Sequence, residues 1–268
     1  MRIVEKFAVV MIGIGVLAGS PATPAHAFDP AQVFAKEKPG SGAFLRFFFK
    51  ARKEGQEAEA IDALKYAAEQ GDHGAQWKLG KMYQTGDGVK VDHAEAFAIF
   101  NKIVQTYTEA RPGSLDWQLS ANAMVALGRY YLKGMPEAGI PRDLDQARIM
   151  FTTAASYFDH PDAQYELAML YLNGDNPSGY GIQAARMLKS AADNGHVGAE
   201  ARLGYMLFDG SILRRDPVRG LSMMFRAQRR ATGEDAKWIT DLQEEALSVA
   251  SEDERRAAIA MASLVPAQ

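Results

Sequence analysis

Cysteine is absent from all 268 residues. That excludes disulfides, thiolate-ligated metal centres and cysteine nucleophiles. Histidine is scarce, with five residues, at positions 26, 73, 93, 160 and 196. None pairs at metal-ligand spacing and no H-E-x-x-H occurs, so a zincin-type centre is excluded. Gly-x-Ser-x-Gly is also missing, and with it the nucleophile elbow of a serine hydrolase. Gly86-Asp87-Gly88 has neither the Lys-Ser/Thr of a P-loop nor the spaced acids of a calcium loop, so it reads as a turn. Charge of one sign is never massed. The formal net charge is −3, and Arg214-Arg215 and Arg226, Arg229 and Arg230 are runs too short for a nucleic-acid surface. No catalytic, cofactor or metal site is expected.

What is present is apolar material, 47% of residues against 24% charged, enough for a sizeable core. Residues 1–27 read as a secretory signal peptide. Arg2 and Lys6 begin it, Phe7 to Ala18 is apolar, and Ala25-His26-Ala27 gives a small-x-small cleavage pattern. That apolar run is shorter than the roughly 20 residues that span a bilayer, and no later segment is apolar enough to do so. The expected location is the periplasm, with cleavage after Ala27 and no stable membrane insertion. Residues 28–42, with Pro30, Pro39, Gly40 and Gly42, read as an extended leader.

The remainder repeats itself. Ala75, Leu79, Gly80, Tyr83 and Gly86 recur as Ala123, Leu127, Gly128, Tyr131 and Gly134. They return as Ala163, Leu167, Ala168, Tyr171 and Gly174, then as Ala199, Leu203, Gly204, Leu207 and Gly210. The copies start 48, 40 and 36 residues apart (75 to 123, 123 to 163, 163 to 199). Units of that length, repeated, make a solenoid. In each unit a helix A carries the Ala/Leu/Tyr stripe, and the small residue after the Leu admits a neighbouring backbone. Asp92, Asp143 and Asp216 then open a helix B, where a carboxylate accepts from free N–H groups. Gly71 and Gly195 close helix B; Asp159 takes that place in the third unit.

Ahead of the first full unit, Ala43–Glu54 and Glu57–Gln70 read as a helical hairpin. Its four phenylalanines within six positions, Phe44, Phe47, Phe48 and Phe49, are read as core packing rather than a membrane anchor, with Arg46, Lys50, Arg52 and Lys53 on the other face. Three stretches read as loops: Gln105–Asn122, Met135–Arg142 and the Pro/Gly-rich turn 175–179. Residues 233–268 read as a C-terminal helical cap, with helices over Glu234–Ala250 and Glu252–Leu264 and a polar outer face, as an open solenoid needs. His73, His160 and His196 fall at equivalent turns between units. They read as turn or capping residues, with pH sensing as the sharper alternative.

The pattern A-x-x-x-L-G-x-x-Y-x-x-G-x-G-V, followed by D-x-x-x-A, resembles Sel-one-like repeats of the tetratricopeptide-like superfamily. Ala75, Leu79, Gly80, Tyr83, Gly86, Gly88, Val89, Asp92 and Ala96 match it. The fold class this implies is all-α: a right-handed α/α solenoid of helical hairpins over residues 43–232, then the cap. A narrower resemblance, to the ExoR-type exopolysaccharide negative regulators, rests on Phe28-Asp29 after the signal peptide, L-K-Y-A-A-E-Q-G at 64–71, A-Q-W-K-L at 75–79, V-A-L-G-R-Y-Y-L at 125–132, and A-A-S-Y-F at 154–158 with D-A-Q-Y-E-L-A at 162–168. For that family the resemblance implies a periplasmic repressor. It binds the periplasmic domain of a sensor histidine kinase of the ExoS–ChvI type, and a periplasmic protease relieves the repression.

In a tetratricopeptide-like superhelix, helix A lines the inner wall. Lys78 and Lys81 stand three apart, off the packed stripe. Their counterparts are Ala126 and Arg129, Glu166 and Met169, and Arg202 and Tyr205. Lys78, Lys81, Arg129, Glu166, Met169, Arg202 and Tyr205 are therefore the candidate partner-binding residues. Trp77, Tyr130 and Tyr165 are assigned to inter-repeat core. A general periplasmic scaffold for envelope assembly is the rival function. A polysaccharide or cell-wall hydrolase is disfavoured, because the repeats leave no room for a catalytic domain.

Overall fold

A computed structural model of the protein describes residues 29–31, 43–174 and 177–264. The expected signal peptide and most of the 28–42 leader lie outside those residues. So do positions 175 and 176 of the third turn. Within the leader, Pro30 and Ala31 are helical and Asp29 Oδ1 accepts from the Ala31 N–H at 3.0 Å.

From Ala43 onward the described residues form twelve α-helices. They are α1 (Ala43–Lys53), α2 (Glu57–Glu69), α3 (His73–Thr85), α4 (His93–Gln105), α5 (Leu115–Lys133) and α6 (Leu144–Tyr157). They continue as α7 (Pro161–Leu172), α8 (Pro177–Asp193), α9 (Val197–Asp209), α10 (Pro217–Arg230), α11 (Glu234–Val249) and α12 (Glu252–Ser263). Consecutive helices from α1 to α11 pack on one another, and A helices also touch across units, α1 on α3, α3 on α5 and α9 on α11. The architecture is an all-α solenoid of stacked hairpins.

Each hairpin closes as the residues dictate. Asp92, Asp143 and Asp216 cap α4, α6 and α10, their Oδ1 atoms accepting from Glu95, Gln146 and Arg219 N–H groups at 3.0, 2.9 and 3.2 Å. Gly86 and Gly88 take the positive φ values, 80° and 75°, that the reversal after α3 requires. Asp159 is the only non-glycine residue with positive φ among the described residues, at 52°. Its carboxylate accepts from Gln164 Nε2 at 2.5 Å and Asn194 Nδ2 at 3.3 Å, which no glycine could do.

The small residue after the stripe Leu has a more exact partner than backbone alone. A Cβ on Gly80 would stand 2.7 Å from the Phe100 ring, and Gly128 faces Phe151 in the same way. Both rings are fully buried. In the third unit Ala168 replaces the glycine, and the ring is replaced by Leu188 in the same core cluster. In the fourth, Gly204 meets backbone: a Cβ there would lie 2.7 Å from Gly220 O. Helix A and helix B thus fit by volume, pair by pair.

Four expectations are corrected. Gln105–Asn122 is only partly a loop, because α5 begins at Leu115 and runs 19 residues. Ser114 Oγ caps it, accepting from the Trp117 N–H at 3.2 Å, and the Trp117 ring lies 4.4 Å from that of Phe158. The turn at 175–179 ends early, since Pro177 starts α8; proline suits a first helical position, where no N–H is needed. Not every phenylalanine of α1 packs inward. Phe44 and Phe48 are buried, but Phe49 is 59% exposed. Nor is the cap polar throughout on its outer face: beside exposed acids such as Asp241, Glu244 and Glu252, the apolar Val249, Ile259, Met261 and Leu264 are exposed as well. The cap is also no ordinary hairpin, because α12 packs on α10.

Candidate partner-binding groove

The A helices hand polar contacts from one unit to the next. On α3, Lys78 turns towards the N-terminal hairpin. Its Nζ donates to Asp87 Oδ2 at 2.9 Å and stands 5.4 Å from the Phe48 ring centroid. Asp87 also accepts from Arg52 Nη1 at 2.9 Å. Bonds from Lys78 and Arg52 hold its carboxyl below the usual range. Lys78 is therefore a strut between units.

Lys81 donates to Gln84 Oε1 at 2.6 Å and lies over Trp77. Burial, and then the positive charge of Arg129 on the next A helix, pull its pKa down. Arg129 itself reaches forward to α7, donating to Glu166 Oε1 at 2.6 Å and pairing with Asp162 Oδ2 at 3.4 Å. Met169, two turns from Asp162, is half-buried. Arg202 on α9 lies 4.7 Å over the Trp238 ring of α11, and Tyr205 donates to Glu245 Oε1 at 2.8 Å. Arg129 and Glu166 thus belong to one connected surface, with Lys81 at its edge and Arg202 and Tyr205 beyond it on α9. Lys78 does not join them.

At the centre of that surface is an open groove of about 390 Å³. Arg129, Asp162, Tyr165, Glu166, His196, Val197 and Asp235 line it, so α5, α7, the start of α9 and α11 all contribute. The His196 ring stacks on Tyr165 at 4.5 Å, and Trp238 Nε1 donates to Asp235 Oδ1 at 2.7 Å. Tyr165 packs on the core and walls the groove as well. Trp77 and Tyr130 remain inter-repeat core.

Of the three histidines at unit boundaries, His196 caps its helix and His73 and His160 tie neighbouring helices together. His196 precedes α9, and its Nδ1 accepts from the Ala199 N–H at 3.0 Å. His160 precedes α7, with Nε2 2.9 Å from Asn122 Oδ1 on the preceding A helix. His73 opens α3, Nδ1 3.2 Å from Asp116 and Nε2 3.1 Å from Thr106. Burial pushes the pKa of both His160 and His196 down, and it outweighs the opposing pull of Asp162.

Asp162, His196 and Asp235 were not among the candidate binding residues. A signal for them exists, because Asp162 and Asp235 are each the second residue of an A helix. Among the described residues, no cluster of three or more His, Cys, Asp or Glu could hold a metal ion, and no helix is long and apolar enough to cross a membrane.

The Sel1 repeat model matches residues 73–103, 121–156, 161–196 and 197–227. Along its length the chain is 39% identical to the exopolysaccharide production negative regulator of Rhizobium meliloti (strain 1021). That match spans 258 residues, 96% of this chain and 94% of the relative. The chain belongs to the family of exopolysaccharide production negative regulators. A second such regulator, from Rhizobium leguminosarum bv. viciae, is also 39% identical over 260 residues, 96% of this chain and 94% of that one. Among solved structures, the Sel1 repeat protein from Oxalobacter formigenes superimposes with a TM-score of 0.60 at 22% identity, covering 87% of this chain and 93% of that one. That likeness speaks for the fold. A Sel1-repeat scaffold in a family of regulators points to protein interaction as the molecule's work.

Proposed function

We propose that the protein is an exported, non-enzymatic repressor of exopolysaccharide production. It binds the periplasmic domain of a sensor histidine kinase of the ExoS–ChvI type and keeps that pathway off. A periplasmic protease relieves the repression by removing the repressor. The observation that carries this reading is the match to two named negative regulators over 96% of the chain. The groove over α5, α7, α9 and α11 supports the binding step. It combines aromatic faces with charges of both signs, the chemistry of a protein-binding surface. The signal-peptide pattern of residues 1–27 supports export.

The test has two arms. Loss of the gene raises exopolysaccharide output and kinase-dependent transcription together. The purified protein retains the kinase's periplasmic domain in a pull-down at about pH 7 and is compared at about pH 5.5, values that bracket imidazole titration. Exopolysaccharide unchanged by gene loss, or no capture at either pH, contradicts the reading. Capture without any change in exopolysaccharide favours the scaffold function instead.

A further inference from the structure

The two ends of the solenoid are unlike, and unlike in complementary ways. At the N-terminal end, α1 buries Phe44, Phe48 and Ala51. Its opposite face is the exposed stripe Arg46, Phe49, Lys50 and Lys53, spaced at i, i+3, i+4 and i+7. The helix contains four basic residues and no acid; Glu54, just past it, stands 4.0 Å from Lys50.

At the C-terminal end, α11 buries Ile239, Gln243 and Ala246. Its outer face is the exposed stripe Asp241, Glu244, Glu245 and Ser248, at the same spacing. Lys237 is the only base of that helix and is paired to Asp241 at 2.6 Å, which leaves Glu244 and Glu245 in excess. The following helix, α12, which packs on α10, buries only Ala258 and Ala262. Ala257, Ala260, Met261 and Leu264 form an exposed apolar stripe on the same helix, with Val249 74% and Leu264 83% exposed.

Inside the molecule, an A helix packs on the B helix before it, and A helices also touch across units, as α9 touches α11. Among the described residues no further A helix follows α11, and α12 packs on α10 rather than on α11, so neither exposed stripe is covered by another helix. We propose that α1 of a second copy of the chain covers them. Arg46, Lys50 and Lys53 of one molecule then meet the acids of α11 of the next, while Phe49 meets the apolar stripe of α12. The contact is head-to-tail, so it leaves one end of each molecule open and extends to further copies or closes a ring. The junction continues the row of A helices from one molecule into the next.

The experiment is sedimentation of the purified protein over a concentration series. It is run at an ionic strength of about 0.01 M and again at about 1 M, where the screening length falls from about 30 Å to about 3 Å. The mass average rises with concentration at low salt and returns towards the monomer at high salt. Two charge-reversed variants sharpen the result: Lys50→Glu/Lys53→Glu at one end and Asp241→Lys/Glu244→Lys at the other, each checked for helical content by circular dichroism. Each alone is monomeric at low salt. Mixed in equal amounts they associate again, because both junctions are once more opposite in sign. A wild-type protein that stays monomeric at low salt overturns the proposal. So does association that both single variants retain, which would place the contact on α12 alone, and so does a mixture that fails to associate.

Discussion

At the start of α9, His196 accepts a backbone N–H through Nδ1, and that bond requires the nitrogen to be unprotonated. Burial already disfavours the imidazolium there, as it does at His160. The sign of the pH effect follows. With folded-state pKa values below the unfolded value of about 6.5, both residues leave stability intact above that pH. Stability then falls as pH drops from about 6.5 to the depressed folded values, because the unfolded chain binds the protons first. Urea unfolding near pH 7.5 and pH 5 measures this. His196→Asn keeps a capping side chain without a titrating ring, so this variant loses less stability between the two pH values than the wild type. Equal losses in both proteins would show that His196 has no part in the response. The capping role of His196 was legible from its place between units, whereas His160, at the equivalent place, ties to Asn122 without capping. Their shifted titration was not legible, because it depends on burial against helices of neighbouring units.

Between elements, fit is decided by volume. Gly80 and Gly128 admit Phe100 and Phe151, whereas Ala168 stands with the smaller Leu188. Gly128→Ala therefore drives a methyl into the Phe151 ring and destabilises the fold by about 1–3 kcal/mol, as overpacking does. Gly128→Ala/Phe151→Leu recreates the third unit's pair and recovers part of that loss. Denaturant midpoints of the two variants check it. A double variant no more stable than the single one would mean that the pairing is incidental. The periodic Leu-Gly was visible in the sequence, and so were the capping aspartates, because both are local patterns. Its partner was not, because Phe100 and Phe151 lie a helix away. Length failed for a similar reason. The first turns of α5 carry no repeat signature, and Trp117 is helical because it has Phe158 to pack against.

Across the whole molecule, the stacking aligns A helices so that residues 33 to 40 apart in sequence meet, as Arg129 meets Asp162 and Tyr205 meets Glu245. That alignment turns scattered polar residues into a groove. Spacing alone marked Arg129, Glu166 and Arg202; the fold brings Arg129 and Glu166 together in the groove, while Arg202 lies over Trp238 outside its lining. Lys78 shared their spacing but pairs with Asp87. Asp162 and Asp235 complete the groove from the first turns of α7 and α11, and His196 from the cap of α9. The most direct test of the groove as the regulatory surface is calorimetric titration of the kinase's periplasmic domain into wild type and into Arg129→Glu, with circular dichroism confirming the fold of each. Reversing the charge at the centre of the groove weakens binding at least about 10-fold, or about 1.4 kcal/mol. Equal affinity for both proteins would place the contact elsewhere on the solenoid.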